Sequence, residues 1–178
     1  MKKMTFILIT ILTISFLLNF AYSYEKKRTL KSLVEGSSLI IKGKIIAQTS
    51  KIEENDILQS IYTYSTVNII SHYKGETESD RILIKTSGGT YQGISSGSLS
   101  SVSLKKGEES LLFLNKNNDH WVVNSISGKL PIITEGRQQK VESLMLLTND
   151  KKHYKKGKTI SLDFIISEIN KWNQKGGK

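Results

Sequence analysis

The chain has 178 residues, 26 of them Lys or Arg and 16 Asp or Glu, for a formal net charge of +10, and it contains no cysteine. The missing thiols exclude a disulfide framework, a thiolate zinc site and a cysteine nucleophile. The length fits one domain with a buried core, and the charge favours polyanionic neighbours without marking a site.

Lys2 and Lys3 precede an apolar run from Phe6 to Phe20, broken only by Thr10, Thr13, Ser15 and Asn19, and then Ala21-Tyr22-Ser23. A basic start, a short apolar stretch and small residues three and one before the break read as a secretory signal over 1–23, cleaved before Tyr24. The apolar run of about 15 residues falls short of the roughly 20 that span a bilayer. No cysteine follows it to carry a lipid. The expectation is a secreted, extracytoplasmic chain with no stable membrane anchor after cleavage. Both signal lysines leave with it, so most of the positive charge stays on the exported part.

Residues 24–36 begin with charge and then place Leu30, Leu33 and Val34 at helical spacing, which predicts a short N-terminal helix ending at Gly36. Leu39 to Ile46 is rich in β-branched residues, with Gly43 marking a bulge or tight bend. Residues 49–57 are polar, and Glu53-Glu54-Asn55-Asp56 reads as a turn. Ile57 to Tyr73 lacks Gly and Pro and carries Tyr62, Tyr64, Val67, Ile69 and Ile70. It predicts a strand longer than usual, bent and shared between two sides of a barrel.

After Lys74-Gly75, Arg81 to Thr86 predicts a third strand. The Gly/Ser-rich stretch 87–101 reads as a loop. Leu111-Leu112-Phe113-Leu114 predicts a buried strand, Asn117-Asn118-Asp119 a turn, Trp121 to Ile126 a strand, and Leu130 to Ile133 another, with Pro131 at an edge or a strand start. Residues 135–158 read as a basic connector. Leu162, Ile165, Ile166, Ile169 and Trp172 define the apolar face of a C-terminal helix over 159–173, with Ser161 as its cap. Six or seven strands without intervening helices predict a mainly β, all-antiparallel fold over 37–134, a small barrel or sandwich on which the last helix packs, with the barrel preferred.

Read in order, Leu39-Ile40-Ile41-Lys42-Gly43-Lys44-Ile45, Tyr62-Thr63-Tyr64, Tyr73-Lys74-Gly75, Gly88-Gly89 and Gly107-Glu108-Glu109 with Leu111-Leu112-Phe113-Leu114 form a recognisable series. Over about residues 37–134 it resembles a group of exported bacterial proteins of uncharacterised activity. More distantly, it is similar to the OB-fold barrel of netrin-like and tissue-inhibitor-like modules. The resemblance implies an OB-like barrel core and no catalytic residues. Those modules usually carry disulfides, and the metalloproteinase inhibitors among them use an N-terminal cysteine. This chain has neither, so inhibition by that route does not carry over.

Gly93-Ile94-Ser95-Ser96-Gly97 matches G-x-S-x-G, the nucleophile-elbow pattern. An elbow needs a strand, a sharp turn and then a helix, and residues 98–104 have no helical periodicity. His120 and His153, with Asp119 or Asp150, are the remaining parts for a serine hydrolase using Ser95, but proximity in sequence is not a triad. His72, His120 and His153 lack metal-ligand spacing, so no metal and no cofactor is expected. Gly88-Gly89 is not followed by Gly-Lys-Ser/Thr, which removes a phosphate loop. Tyr62 and Tyr64 share one face of a strand. With Tyr91, Lys85, Gly88 and Gly89 they form the candidate ligand-binding set, because aromatic faces beside lysines bind polymers on OB barrels. The alternative for the tyrosines is ordinary strand filling. For an exported chain the expected partner is a protein or an anionic wall polymer rather than nucleic acid. The expected function is a non-enzymatic binding module, with the Ser95 hydrolase and an accessory envelope protein as alternatives.

Overall fold

The computed structural model describes residues 29–54, 59–97, 101–142 and 159–176. The expected signal, residues 55–58, residues 98–100 and most of the expected connector lie outside them, as do Asp150 and His153.

Helix α1 (Leu30–Glu35) starts at a capping box. Thr29 Oγ1 accepts from the Ser32 amide, and Ser32 Oγ accepts from the Thr29 amide, both at 3.0 Å. Its buried side, Leu30, Leu33 and Val34, is the one the spacing predicts. Lys74 Nζ donates to the Val34 carbonyl at 2.6 Å and satisfies one of the acceptors left open at the helix end.

Ten strands follow. β1 (Leu39–Glu54) and β2 (Gln59–Lys74) form an antiparallel ribbon of 16 residues on each side. β3 (Arg81–Ser87) pairs with β2. β4 (Gly89–Tyr91) and β5 (Ile94–Ser96) make a small hairpin of their own. β6 (Glu109–Asn117), β7 (His120–Val123), β8 (Lys129–Glu135), β9 (Gln138–Glu142) and β10 (Thr159–Ser161) complete the set, and α2 (Leu162–Gly176) closes the described chain. The pairings run β1–β2–β3–β7–β6, and β6 pairs again with β1. The β3–β7 link is one residue pair, Ile84 with Trp121, and it is parallel. The expected all-antiparallel core is corrected at that point: no hairpin joins β3 to β7, so nothing forces them to run in opposite directions.

β1, rather than β2, is the shared strand. Leu39–Lys44 pairs with β6 on one side while Ile40–Glu54 pairs with β2 on the other. Three register shifts, one of them between Lys42 and Gly43, bend it. A Cβ on Gly43 would stand 2.5 Å from Val67 Cγ1, so the glycine lets the two strands close up at the bend.

The runs Leu39-Ile40-Ile41 and Leu111-Leu112-Phe113-Leu114 are buried throughout because β1 and β6 have a core on each face. Leu39, Ile41, Leu112 and Leu114 turn to one side, with Ile45, Val67, Ile69, Ile82, Ile84 and Leu104. Ile40, Leu111 and Phe113 turn to the other, with α1, Leu130, Val141 and the α2 residues Leu162, Ile165 and Ile169. α2 therefore packs as its periodicity predicts, against α1 and the outer faces of β1, β6, β8 and β9.

Four local expectations change. Glu53 and Glu54 belong to β1 rather than to a turn. The stretch 87–101 contains the β4–β5 hairpin. Residues 124–126 leave β7, and Ile126–Gly128 form a short 3₁₀ turn. Within 135–158, β9 pairs back on β8 through Gly136 at φ +61. Ser161 ends β10 directly before α2, while Pro131 sits near the start of β8, opposite Ser110. In the three segments that gained strand the composition is mostly polar and lacks the apolar alternation by which strands are recognised, whereas at 124–128 an expected strand end turns into the 3₁₀ turn, with Ser127 and Gly128 buried.

Candidate functional site

Tyr62 and Tyr64 lie on the face of β2 opposite the buried Ile61, Ser65 and Val67. The pairing places Lys51 beside Tyr62 from β1, and Lys85 beside Tyr64 from β3. Period two then collects Lys51, Glu53, Tyr62, Tyr64 and Lys85 on one side of three adjacent strands.

Lys85 Nζ stands 4.0 Å from the centre of the Tyr62 ring and 5.5 Å from that of Tyr64, and Lys51 Nζ stands 4.5 Å from the Tyr64 ring. These are cation–π distances. Glu53 ties the group together. Its Oε2 accepts from Lys85 Nζ at 2.5 Å, its Oε1 accepts from the Tyr64 hydroxyl, and Lys51 Nζ lies 3.5 Å from Oε1. The hydrogen bond from Lys85, followed by that from Tyr64, holds the Glu53 carboxyl at about 2, well below its ordinary range. For Lys85, burial pulls the ammonium down, but the hydrogen bonds to Glu53 and Tyr64 outweigh it and its pKa rises. Both groups are therefore charged at neutral pH.

Beside this patch runs a groove of about 500 Å³. One wall is Tyr62, Lys85 and Ser87, and the other is Asn117, Asn118 and His120 from the β6–β7 turn. Val102 and Val123, which pack on the core, also line it. Asn118 adopts φ +51, a left-handed conformation that asparagine tolerates and a tight turn needs. The His120 ring meets Tyr64 edge to face at 6.2 Å between centroids and so joins the groove to the patch. Ser125 Oγ lies buried in a groove-lining residue without a hydrogen-bond partner.

Of the candidate residues, Tyr62, Tyr64 and Lys85 come together. Gly88 and Gly89 do not join them. They anchor the β4–β5 hairpin against the other face of the ribbon: the Gly88 carbonyl accepts from Thr63 Oγ1 at 2.7 Å, and a Cβ on Gly89 would lie 2.2 Å from the same oxygen. Tyr91 ends β4, where Gln92 Nε2 reaches its hydroxyl at 3.4 Å, and among the described residues no ring contact links it to Tyr62 or Tyr64. Glu53, Lys51 and His120 are the members that sequence reasoning missed. One signal pointed to the first two: a 16-residue strand must satisfy its backbone along its whole length, so the segment before it had to be a strand of similar length.

Ser95 sits mid-strand in β5, and its hydroxyl lies 2.9 Å from Thr90 Oγ1. Among the described residues no helix directly follows it, as the strand–turn–helix setting of a nucleophile elbow requires. His72 contacts Thr77 at a strand end. Among the described residues no three His, Asp or Glu side chains are grouped to hold a metal ion, and no helix is long and apolar enough to cross a membrane. Compared with known proteins, the chain matches no family model and no curated sequence.

Proposed function

We propose that this chain is an exported, non-enzymatic binding module that holds an anionic envelope polymer along the Tyr62–Lys85–His120 groove. The single observation behind the reading is the convergence of two aromatic rings and two ammonium groups from three strands at the rim of an open groove. Aromatic faces give area to sugar rings or other flat groups at small entropic cost, and lysines supply long-range attraction for anions. The positive charge left after the leader and its two lysines are removed, 24 Lys and Arg against 16 Asp and Glu or +8, acts in the same sense. The leader over 1–23 places such a polymer within reach.

We also read the β1–β2–β3–β7–β6 ring as an OB-like barrel. Its support is the return of the pairing from β6 to β1 around one core, with a weak β3–β7 seam, as in a partly open five-stranded barrel. On OB barrels the face of the second and third strands and the adjoining loops carry the ligand. Tyr62, Tyr64 and Lys85 occupy that face, and Asn117 and Asn118 the loop between the fourth and fifth ring strands.

The test is affinity electrophoresis of the purified protein through gels carrying polygalacturonate, a glycerol-phosphate polymer or neutral dextran. Retardation by an anionic polymer, weakened at least fivefold by Tyr62→Ala, is the expected result. Equal migration in all gels removes the polymer reading. A Ser95→Ala variant indistinguishable from the parent on ester and peptide substrates removes the hydrolase alternative.

A further inference from the structure

Glu53 has the surroundings that a bound anion would have. Two hydrogen-bond donors and a second ammonium group, from three strands, converge on one carboxylate: Lys85 donates to Oε2 and the Tyr64 hydroxyl to Oε1, and Lys51 forms an ion pair with Oε1. The two ammonium groups so held lie over the rings of Tyr62 and Tyr64 and cover the aromatic faces. The arrangement is not a sealed core pair. The Glu53 side chain is 26% exposed, it stands near the end of the β1–β2 ribbon, and Lys85 also lines the groove. An incoming anion can reach both lysines from solvent.

We propose that Glu53 is a built-in competitor of the ligand: its carboxylate holds Lys51 and Lys85 over the tyrosine rings until an anionic group of the polymer takes its place. The inference rests on the binding reading above and adds the chemistry of the recognised group, an oxyanion of carboxylate or phosphate type. Exchange leaves the number of ion pairs at the lysines unchanged, since one oxyanion replaces another, and frees the faces of Tyr62 and Tyr64 for stacking. Affinity is thereby held low, and the chain releases polymer readily. A neutral polymer has nothing to exchange with Glu53 and meets covered rings.

The proposal is tested by measuring affinity of the purified protein for polygalacturonate, for a glycerol-phosphate polymer and for dextran, with Glu53→Gln, Lys85→Gln and the double variant. Glu53→Gln is expected to tighten binding to the anionic polymers about tenfold, close to 1.4 kcal/mol. Dextran, which brings no oxyanion for the released lysines, should gain far less than either anionic polymer. Lys85→Gln should weaken anionic binding and cancel the gain in the double variant. Whichever anionic polymer gains more identifies the oxyanion. Glu135→Gln makes the same change of net charge far from the groove, at the Lys140 pair. An equal gain there, or no gain with Glu53→Gln, overturns the competitor role. If the parent still binds in a Tyr62-dependent way, the binding reading survives that result. No binding by the parent or any variant ends both. Glu53→Ser serves as a second substitution, with thermal melting to verify that each variant is folded.

Discussion

At the scale of single residues, charge placement separates structural lysines from the groove lysines. Lys129 is 6% exposed and is held by Glu108 at 2.7 Å and by the Ser103 carbonyl at 2.6 Å. Replacing it with Met leaves a half-buried carboxylate without its cation, so denaturant unfolding should show a loss of about 3 kcal/mol. Glu53 behaves differently, because a part-exposed pair contributes under about 1 kcal/mol. Its folded pKa is lowered to about 2 from 4.5. The ionised form therefore stabilises the fold above about pH 4.5, and that contribution fades as pH falls towards 2. Unfolding curves of the parent and Glu53→Gln should differ at pH 7 and converge near pH 2. A gap unchanged across that range would contradict the ion-pair origin. Glycines divide in the same way. Gly89 has φ +136, and a Cβ added to it would stand within 2.7 Å of the Thr63 and Ser50 hydroxyl oxygens. Its change to Ala should cost about 2 kcal/mol or more. Gly97→Ala meets open space and should stay within about 0.5 kcal/mol of the parent in the same assay.

At the scale of elements, α2 is a structural part of the fold. Ile165 and Ile169 are fully buried against α1, β1 and β6, and Asn173 Nδ2 donates to the Tyr73 carbonyl at 2.7 Å. Ile165→Ala and Ile169→Ala should each cost about 2–5 kcal/mol in chemical denaturation. The helix meets β2 around Tyr73, far along the strand from Tyr62 and Tyr64, so these variants should leave polymer affinity unchanged wherever the protein stays folded. A loss of affinity in a folded variant would place α2 at the groove. This helix was legible because its apolar residues recur at 3.6-residue spacing over three turns. The β4–β5 hairpin was not: Gly, Ser and Thr give no alternation, and its strands exist because Gly88 and Gly89 seat them on Ser50 and Thr63. The distal half of β1 was hidden for a similar reason, since Gln48, Ser50, Lys51, Glu53 and Glu54 are strand residues only because β2 offers them a complementary backbone.

At the scale of the whole molecule, the net charge of +10, or +8 once Lys2 and Lys3 leave with the leader, predicts how binding responds to salt. Retention on an anionic polymer should fall steeply between about 50 mM and 500 mM salt, as screening shortens to a few ångströms. Retention unaffected by salt would argue for a non-ionic contact. The mainly β class, the N-terminal and C-terminal helices, the Gly43 bulge and the buried runs on β1 and β6 were determined by the sequence alone. Each depends on local periodicity, or on apolar side chains that have one favourable place to go. Tertiary structure decided the rest: which strand is shared, the single parallel link between Ile84 and Trp121, and the meeting of Glu53 with Lys85 from positions 32 residues apart. Those contacts follow from strand register, and register is set by how the strands pair over the buried core, which no local stretch of residues encodes.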